Sequence, residues 1–255
     1  MKLMQYNNFL RKVLSSKTSL KEGFTLAEVL ITLGIIGVVA AMSIPTLITN
    51  VQKTRTVSEL KKAFAEISVA TRLAEGEFGD VSGWTYDQKT SSAISWAGMF
   101  DTYMLPFMKI SRREVRGQDL IYYKPNKQRE TELAMLRGNS VSYVLLSGPE
   151  IIVSNNNIGS KTPDNIQFII DINGYNSKPN RFGRDTFMLG IYPTRGVIMH
   201  HRDDGEAVTV QRTRQQLMNG PSKNKYQCSN SGRGMWCGAL IQKDGWEIAP
   251  DYPWK

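Results

Sequence analysis

The sequence is poor in the side chains that most enzymes use for catalysis or for binding metals. Its 255 residues include only two histidines and two cysteines. His200 and His201 are adjacent, and neighbouring side chains of a strand point to opposite faces, so the two rings are not expected to chelate one metal ion. Neither lies in a zinc motif or accompanies a nucleophile signature such as G-x-S-x-G. We therefore expect a non-enzymatic protein.

Charged side chains are also almost absent from a long segment near the N-terminus. Between Phe24 and Gln52 the only one is Glu28. The apolar run over residues 24 to 48 is long enough for the ~20 residues of a membrane-spanning helix. An acid at the middle of such a helix costs about 2.5 to 3.5 kcal/mol on insertion, and less near its end. Because that free energy opposes insertion, Glu28 is a candidate functional residue.

The N-terminal leader, residues 1 to 23, carries the charge that the apolar segment lacks. It contains five lysine or arginine residues and one acid, Glu22. Positive charge beside a membrane-spanning segment favours the cytoplasmic side, so we expect a cytoplasmic N-terminus. A secretory signal peptide has a similar pattern, with Ala41 and Ser43 as small residues that frame a later cut. That alternative explains neither Glu28 nor the amphipathic helix that follows.

The junction between the leader and the apolar segment reads G-F-T-L-A-E and begins at Gly23 and Phe24. With the basic leader before it and the apolar run after it, this junction resembles the processing and methylation motif of the type IV pilin superfamily, which includes type II secretion pseudopilins. The resemblance implies that a membrane prepilin peptidase cuts after Gly23 and methylates the new amino group of Phe24. Glu22 departs from the family pattern, in which a basic residue commonly precedes the glycine.

The same resemblance implies an assembly role for Glu28. After cleavage Phe24 carries an ammonium group four residues earlier on the same helix face, at the helix end that favours negative charge. A pair within one chain merely neutralises the acid. The family implies instead that the carboxylate meets the ammonium of an adjacent subunit and sets the axial register. The alternative is a Glu28 that reaches water at the membrane interface and has no role.

These features predict a structural subunit of a type II secretion pseudopilus or a type IV pilus. We expect a single-pass protein of the bacterial inner membrane, with residues 79 to 255 in the periplasm or, after assembly, outside the cell. The implied partners are the prepilin peptidase, other pilin or pseudopilin subunits and an inner-membrane assembly platform. The alternative is a single-pass, membrane-anchored protein that binds a polysaccharide or DNA and does not polymerise.

One long helix is expected over the apolar segment and its continuation. Pro45 lacks an N–H group and its ring opposes the carbonyl of Ala41, which predicts a kink. Over residues 49 to 78 apolar side chains recur at spacings of three and four, which predicts an amphipathic continuation. The apolar stripe comprises Val57, Leu60, Phe64, Ile67, Ala74 and Phe78.

The remaining residues, 79 to 255, are expected to form one α+β domain in which the long helix packs on a small antiparallel sheet, as in pilins. A short helix is predicted over residues 92 to 104. Strands are predicted at 121–124, 132–136, 141–147, 151–153, 166–172, 186–192 and 197–200.

Two loops of this domain resemble features of pilin-like proteins. Asp171, Asn173 and Asp185 lie in a loop similar to the pattern D-x-N-G, P-N, G-x-D-x-F, and their oxygens suit Ca²⁺, which some pseudopilins bind. Asx-turn structure without metal is the favoured interpretation, so no cofactor is expected. Cys228 and Cys237 are expected to form a disulfide, worth about 2.5 to 3 kcal/mol in the chain-entropy model.

Net charge gives little support to a nucleic-acid partner. The full chain carries +9, and removal of the leader leaves about +5. A basic region with interleaved tyrosines suits DNA or an anionic polymer, but such a region is more often a solvated face, so nucleic acid is not an expected partner. The cations of this region are Arg112, Arg113, Arg116, Lys124, Lys127 and Arg129.

Overall fold

Helix α1 runs from Leu26 to Phe78. The structure is a computed structural model that describes residues 23–85, 93–117, 120–132, 139–154, 166–203, 206–207 and 209–254. The chain forms two units, Met1–Thr49 and Asn50–Lys255. In the first unit the apolar side chains of α1 are exposed. Within the described ranges, α1 is the one helix long and apolar enough to cross a membrane, with a mean hydropathy of 2.2 over its most apolar window.

In the second unit, α1 buries one stripe. Leu60, Ile67 and Ala74 are fully buried, as the spacing predicts, and alanines and threonines fill the positions between them. Phe78, at the end of the stripe, is 44% exposed and packs edge-on against Tyr103. The helix ends there because the next residue, a glycine, adopts a φ of +83°, which side chains rarely tolerate.

The sheet is a six-stranded antiparallel meander in which each strand pairs with its neighbours in the chain, in the order β1 to β6. This confirms the predicted α+β class and the antiparallel sheet. The strands are β1, Ile110–Arg116; β2, Ser140–Leu145; β3, Glu150–Ser154; β4, Ile166–Asp171; β5, Thr186–Tyr192; and β6, Gly196–Met199.

Strand β1 was not expected, because its sequence is largely charged and lacks an apolar alternation. It lies at the sheet edge, where exposed charges are tolerated. The predicted strand at 121–124 is wrong, since Tyr123 makes only isolated bridges to Arg129 and Arg181. Loop 180–182 provides the backbone partners of Tyr123. The predicted strand at 132–136 falls mostly outside the described residues.

The described part of the domain also contains three shorter α-helices: α2, Ala93–Tyr103; α3, Arg214–Asn219; and α4, Cys237–Lys243. Helix α2 confirms the helix predicted over residues 92 to 104. It packs on β2 and β3, where the Tyr143 hydroxyl donates to the carbonyl of Ala97 at 3.1 Å. Helix α4 lies on β5 and β6, and a Cβ at Gly238 would lie 2.8 Å from the sulfur of Met199. Glycine thus permits the close approach of α4 to the sheet.

A buried ion pair joins distant parts of the domain. The guanidinium of Arg233 donates two hydrogen bonds of 2.9 Å to the carboxylate of Glu130, and both side chains are almost fully buried. Removing one partner of such a pair leaves a buried charge without compensation, which costs more than the loss of an exposed pair.

Glu130→Gln should therefore lower the free energy of unfolding by about 3 to 5 kcal/mol. The matched control is Glu59→Gln, because Glu59 pairs with the exposed Arg55 at 2.7 Å. The control should cost less than about 1 kcal/mol. Denaturant unfolding of both variants in detergent, followed by near-UV circular dichroism, measures the difference. If both variants lose the same small amount of unfolding free energy, then breaking the buried pair costs no more than breaking the exposed pair.

Candidate functional site

The start of α1 brings Thr25 and Glu28 together. The N–H and the hydroxyl of Thr25 donate to Oε2 of Glu28 at 2.8 and 2.7 Å. In return the Glu28 N–H donates to the Thr25 hydroxyl oxygen at 3.2 Å. This reciprocal arrangement is a capping box, in which side chains satisfy N–H groups that the first helical turn leaves without partners. The pattern T-x-x-E before an apolar run predicts a capping box. The charge of Glu28 alone does not reveal this capping role.

The capping box leaves part of the Glu28 carboxylate available. Both donors of Thr25 bind Oε2, and no described residue donates to Oε1. The donors are neutral, so neither of them compensates the charge of an ionised carboxylate. Gly23 and Phe24 are exposed, Phe24 to 87%, so the peptide bond between them is accessible. The site thus combines an exposed junction, at which cleavage is predicted, with an anion that can accept a further cation.

Helix α1 continues through Pro45, the predicted kink position. The hydroxyl of Thr49 donates to the carbonyl of Pro45 at 2.9 Å. Because proline has no N–H, the carbonyl of Ala41 loses its usual partner in the helix. The kink itself stays a prediction.

The loop that contains the candidate calcium ligands is organised by its own backbone. The buried carboxylate of Asp185 accepts hydrogen bonds from the N–H groups of Asn180 and Arg181 at 2.9 and 2.5 Å. Asp171 Oδ1 accepts from the N–H of Asn173 at 3.3 Å. The oxygens of Asp185 thus cap the turn, and this geometry matches the favoured interpretation of the loop as Asx-turn structure.

Asp171 is fully buried, and its Oδ2 has no hydrogen-bond partner. Burial, together with the charges of Asp185 and Glu150, raises the pKa of Asp171 well above its ordinary value. Burial also raises the pKa of Asp185. In the part of the chain that the structure describes, no group of three His, Cys, Asp or Glu side chains could hold a metal ion. The expectation that this loop binds no metal stays a prediction.

Cys228 and Cys237 form a disulfide, which confirms the predicted pairing. Both cysteines are buried, and α4 begins at Cys237. Gly183 lies against this bond with a φ of +83°, and a Cβ there would lie 2.7 Å from the sulfur of Cys237. The disulfide, which lies within the C-terminal segment, therefore packs against the loop that precedes β5.

The two histidines occupy different environments. The ring of His200 is buried, lies 5.5 Å from that of Tyr226, and has no hydrogen bond at either nitrogen. The ring nitrogens of His201 instead lie 2.8 and 2.9 Å from the carbonyl oxygens of Met199 and Val210. Burial, with help from nearby positive groups, lowers the pKa of His200 to about 3.

Ion pairs reduce the free charge of the basic region. Four of its six cations lie within 4 Å of a carboxylate. The pairs are Arg112–Glu114, Arg113–Asp101, Arg116–Glu150 and Lys124–Glu132. Such pairing weakens the field that attracts a polyanion. The expectation that nucleic acid is not a partner stays a prediction.

Two family models match the chain, and the boundary between them lies near the end of the apolar segment. A family model described as the prokaryotic N-terminal methylation motif matches residues 19–44. A second model, described as a family of unknown function (DUF6613), matches residues 46–255. The chain belongs to this family. No curated protein and no solved structure matches the chain.

The methylation motif covers Gly23, Phe24 and Glu28. The chain is therefore a pilin-type precursor that prepilin peptidase processes, which confirms the resemblance drawn from the junction residues. Its motif and its one long apolar helix indicate a single-pass membrane anchor.

The buried state of His200 predicts a dependence of stability on pH. In the unfolded chain histidine binds a proton below about pH 6.5, whereas folded His200 stays neutral down to about pH 3. The unfolded state therefore gains protons first, and the contribution of His200 falls as pH falls through this window. The unfolding free energy of the native protein should drop, relative to that of His200→Phe, as pH falls from 6.5 to 5, with a slope that approaches about 1.4 kcal/mol per pH unit near pH 5.

Denaturant unfolding of both proteins at pH 7.5, 6 and 5 measures this difference. Carboxylates such as Asp171 titrate equally in the native protein and the variant, so their effects cancel. A difference that does not change with pH would show that His200 is accessible to protons in the folded state.

Proposed function

We propose that the mature chain, residues 24 to 255, is a non-enzymatic structural subunit of a pilin-type filament, either a type II secretion pseudopilus or a type IV pilus. The observation that carries this proposal is the solitary acid Glu28 at the start of an apolar helix, directly after the processing junction. Capping of the helix does not by itself require an acid at this position, since glutamine also completes a capping box, and the acid opposes insertion.

The geometry of the capping box supports a role between subunits. Thr25 satisfies Oε2 of Glu28 with neutral donors, while Oε1 has no donor among the described residues. Attraction between opposite charges grows as the surrounding medium becomes less polar. In the apolar interior of a helix bundle, the methylated ammonium of Phe24 from a neighbouring subunit is the natural partner of Oε1. A subunit displaced along the bundle would lose this pair, so the pair sets the axial register.

The disulfide supports an extracytoplasmic location for the sheet domain, because disulfides persist in oxidising compartments. The pair Cys228–Cys237 lies in that domain. The charges that flank the apolar segment distinguish the two membrane orientations less clearly. Cations follow the segment, at Lys53, Arg55 and Lys61, about as closely as the leader cations precede it. We therefore place the N-terminus in the cytoplasm and the domain in the periplasm or, after assembly, outside the cell.

The partners proposed for this function are the prepilin peptidase, other pilin or pseudopilin subunits and an inner-membrane assembly platform. The exposed apolar side chains of α1, from Leu26 to Val51, form the surface that would contact lipid before assembly and neighbouring helices after it. In a membrane, helices associate through packing and polar contacts because lipid and side chains are equally apolar. Gly34 and Gly37 offer close approach on this surface, since nothing lies within 4 Å of either.

Mass spectrometry of the protein purified from its native membrane tests the processing step. The expected N-terminus is Phe24 with one methyl group, and the leader should be absent. Gly23→Val should leave the leader attached, because it replaces the glycine of the matched motif with a β-branched side chain at the cut. An intact leader on the native protein, or a cut near Ser43, would instead favour an anchored binding protein that does not polymerise.

Glu28→Gln tests the assembly step. This change keeps the size of the side chain and its ability to accept from Thr25, but it removes the charge. We expect incorporation into filaments to fall by about tenfold or more, because a lost buried charge pair of this kind is worth over 1.4 kcal/mol. Filaments sheared from cells and quantified by immunoblot against membrane-retained protein give the measurement.

Two further variants separate the possible roles of Glu28. Glu59→Gln changes an acid of the same helix outside the apolar segment and should leave incorporation unchanged. Thr25→Val removes the two hydrogen bonds that use the Thr25 hydroxyl, leaves the bond from its backbone N–H to Glu28, and keeps the charge, so it should reduce incorporation much less than Glu28→Gln does. Equal effects of Thr25→Val and Glu28→Gln would mean that capping, and not a contact between subunits, is the role of the carboxylate.

A further inference from the structure

The part of α1 that packs on the sheet also exposes apolar side chains. Val69 and Leu73, four residues apart, are 54% and 52% exposed. Leu146, in the β2–β3 turn, is 69% exposed, and the hydroxyl of the next residue, Ser147, donates to Glu66 of α1 at 2.7 Å. That bond holds the turn beside the same stretch of the helix. Single exposed apolar side chains are normal, whereas several together indicate a contact surface.

The exposed residues of this stretch follow the spacing of a helix–helix seam. Lys62, Glu66, Val69 and Leu73 are separated by four, three and four residues. At 3.6 residues per turn they fall within about 60° of the helix circumference, so they share one face. Parallel helices of identical chains contact one another along residues that recur at alternating spacings of three and four. The face therefore suits a second helix that carries the same pattern.

The two charged residues of the seam do not pair with each other within the chain. Their spacing of four would permit a pair, as in Arg55–Glu59 at 2.7 Å. No carboxylate in the described ranges lies within 4 Å of the Lys62 ammonium, and Lys62 is exposed. Glu66 uses Oε2 for Ser147, and its Oε1 receives no hydrogen bond from the described residues. The seam thus presents one cation and one anion to a neighbour.

One axial displacement satisfies both halves of the seam. A copy shifted by four residues, about 6 Å along the helix, brings its Lys62 level with Glu66 of the first copy. The same shift brings its Val69 level with Leu73. An unshifted copy would instead place like charges level with each other, which is unfavourable. The pattern therefore selects a shifted parallel copy over an unshifted one.

We propose that this face of α1 contacts a second copy of the chain, shifted by about 6 Å along the helix, when the protein assembles. The inference rests on the proposed function, because it requires an assembled filament. Phe24 and Glu28 are also four residues apart, so the same shift suits the contact proposed at the start of α1. The contact surface comprises Lys62, Glu66, Val69, Leu73 and Leu146.

Cysteine cross-linking tests the contact directly. Val69→Cys and Leu73→Cys chains are produced together, and sheared filaments are oxidised and run on a non-reducing gel. The mixture should give at least about threefold more disulfide-linked dimer than either variant alone, because a disulfide requires Cα atoms within about 7 Å. A mixture of Val115→Cys and Leu73→Cys is the matched control and should give no dimer, since exposed Val115 lies on edge strand β1. The native cysteines are buried and already paired.

Charge exchange between chains provides the second test. Lys62→Glu and Glu66→Lys each place like charges at the contact, so each alone should lower incorporation into filaments by about twofold or more. Production of both variants in one cell should restore incorporation, because residue 62 of each chain then meets the opposite charge at residue 66 of the other. An effect within one chain could not be restored in this way. Lys127→Glu changes an exposed lysine outside the surface and should leave incorporation unchanged.

The outcomes separate this inference from the proposed function. Native protein in sheared filaments, but no dimer from the Val69→Cys and Leu73→Cys mixture, would overturn the inference alone. So would more dimer from Val69→Cys by itself than from the mixture, or no rescue when the two charge variants are produced together. Absence of the native protein from filaments would overturn the proposed function and the inference with it.

Discussion

Burial of one stripe of α1 in the sheet domain is the constraint on which the rest of the structure depends. Leu60, Ala63, Ile67 and Ala70 are fully buried, and the small alanines let the helix backbone approach its neighbours closely. The buried Thr71 hydroxyl donates to the carbonyl of Ile67 at 2.9 Å, so a polar group on this stripe is satisfied within the helix. Since α1 is one helix from Leu26 to Phe78, the element that carries the apolar segment is also held by the core of the domain.

The C-terminal segment holds the domain together around this stripe. The ring of Trp246 lies 5.4 Å from that of Phe64 on α1, and the Tyr252 hydroxyl donates to the carbonyl of Gly183. Arg214 binds Asp244 at 2.7 Å and Asp251 at 2.6 Å. The C-terminal segment has little regular secondary structure. The disulfide and these contacts together hold it in a fixed position on the domain. These contacts matter because a C-terminal segment that did not pack on the domain would expose its apolar rings.

Buried polar groups of the domain fall into two kinds. Glu130 with Arg233, and Asp185 with its backbone donors, have their hydrogen bonds satisfied, so they fix one arrangement of the chain. Oδ2 of Asp171 and the ring of His200 have no such partners. Burial therefore favours their neutral forms, and the two groups respond to pH in opposite directions: a raised carboxyl pKa weakens the fold as pH rises, and a lowered histidine pKa weakens it as pH falls.

The sequence by itself determined what local patterns encode. The apolar segment, the amphipathic stripe and the strands β2 to β6 follow from spacings of a few residues, because helix and strand periodicity is a local property. The processing junction follows from the resemblance of its residues to a known family motif. Tertiary structure alone decided that charged β1 is an edge strand, that residues 121 to 124 are not a strand, and that Glu130 meets Arg233. These features depend on which distant residues become neighbours, and burial and pairing between distant residues leave no periodic signal in the chain.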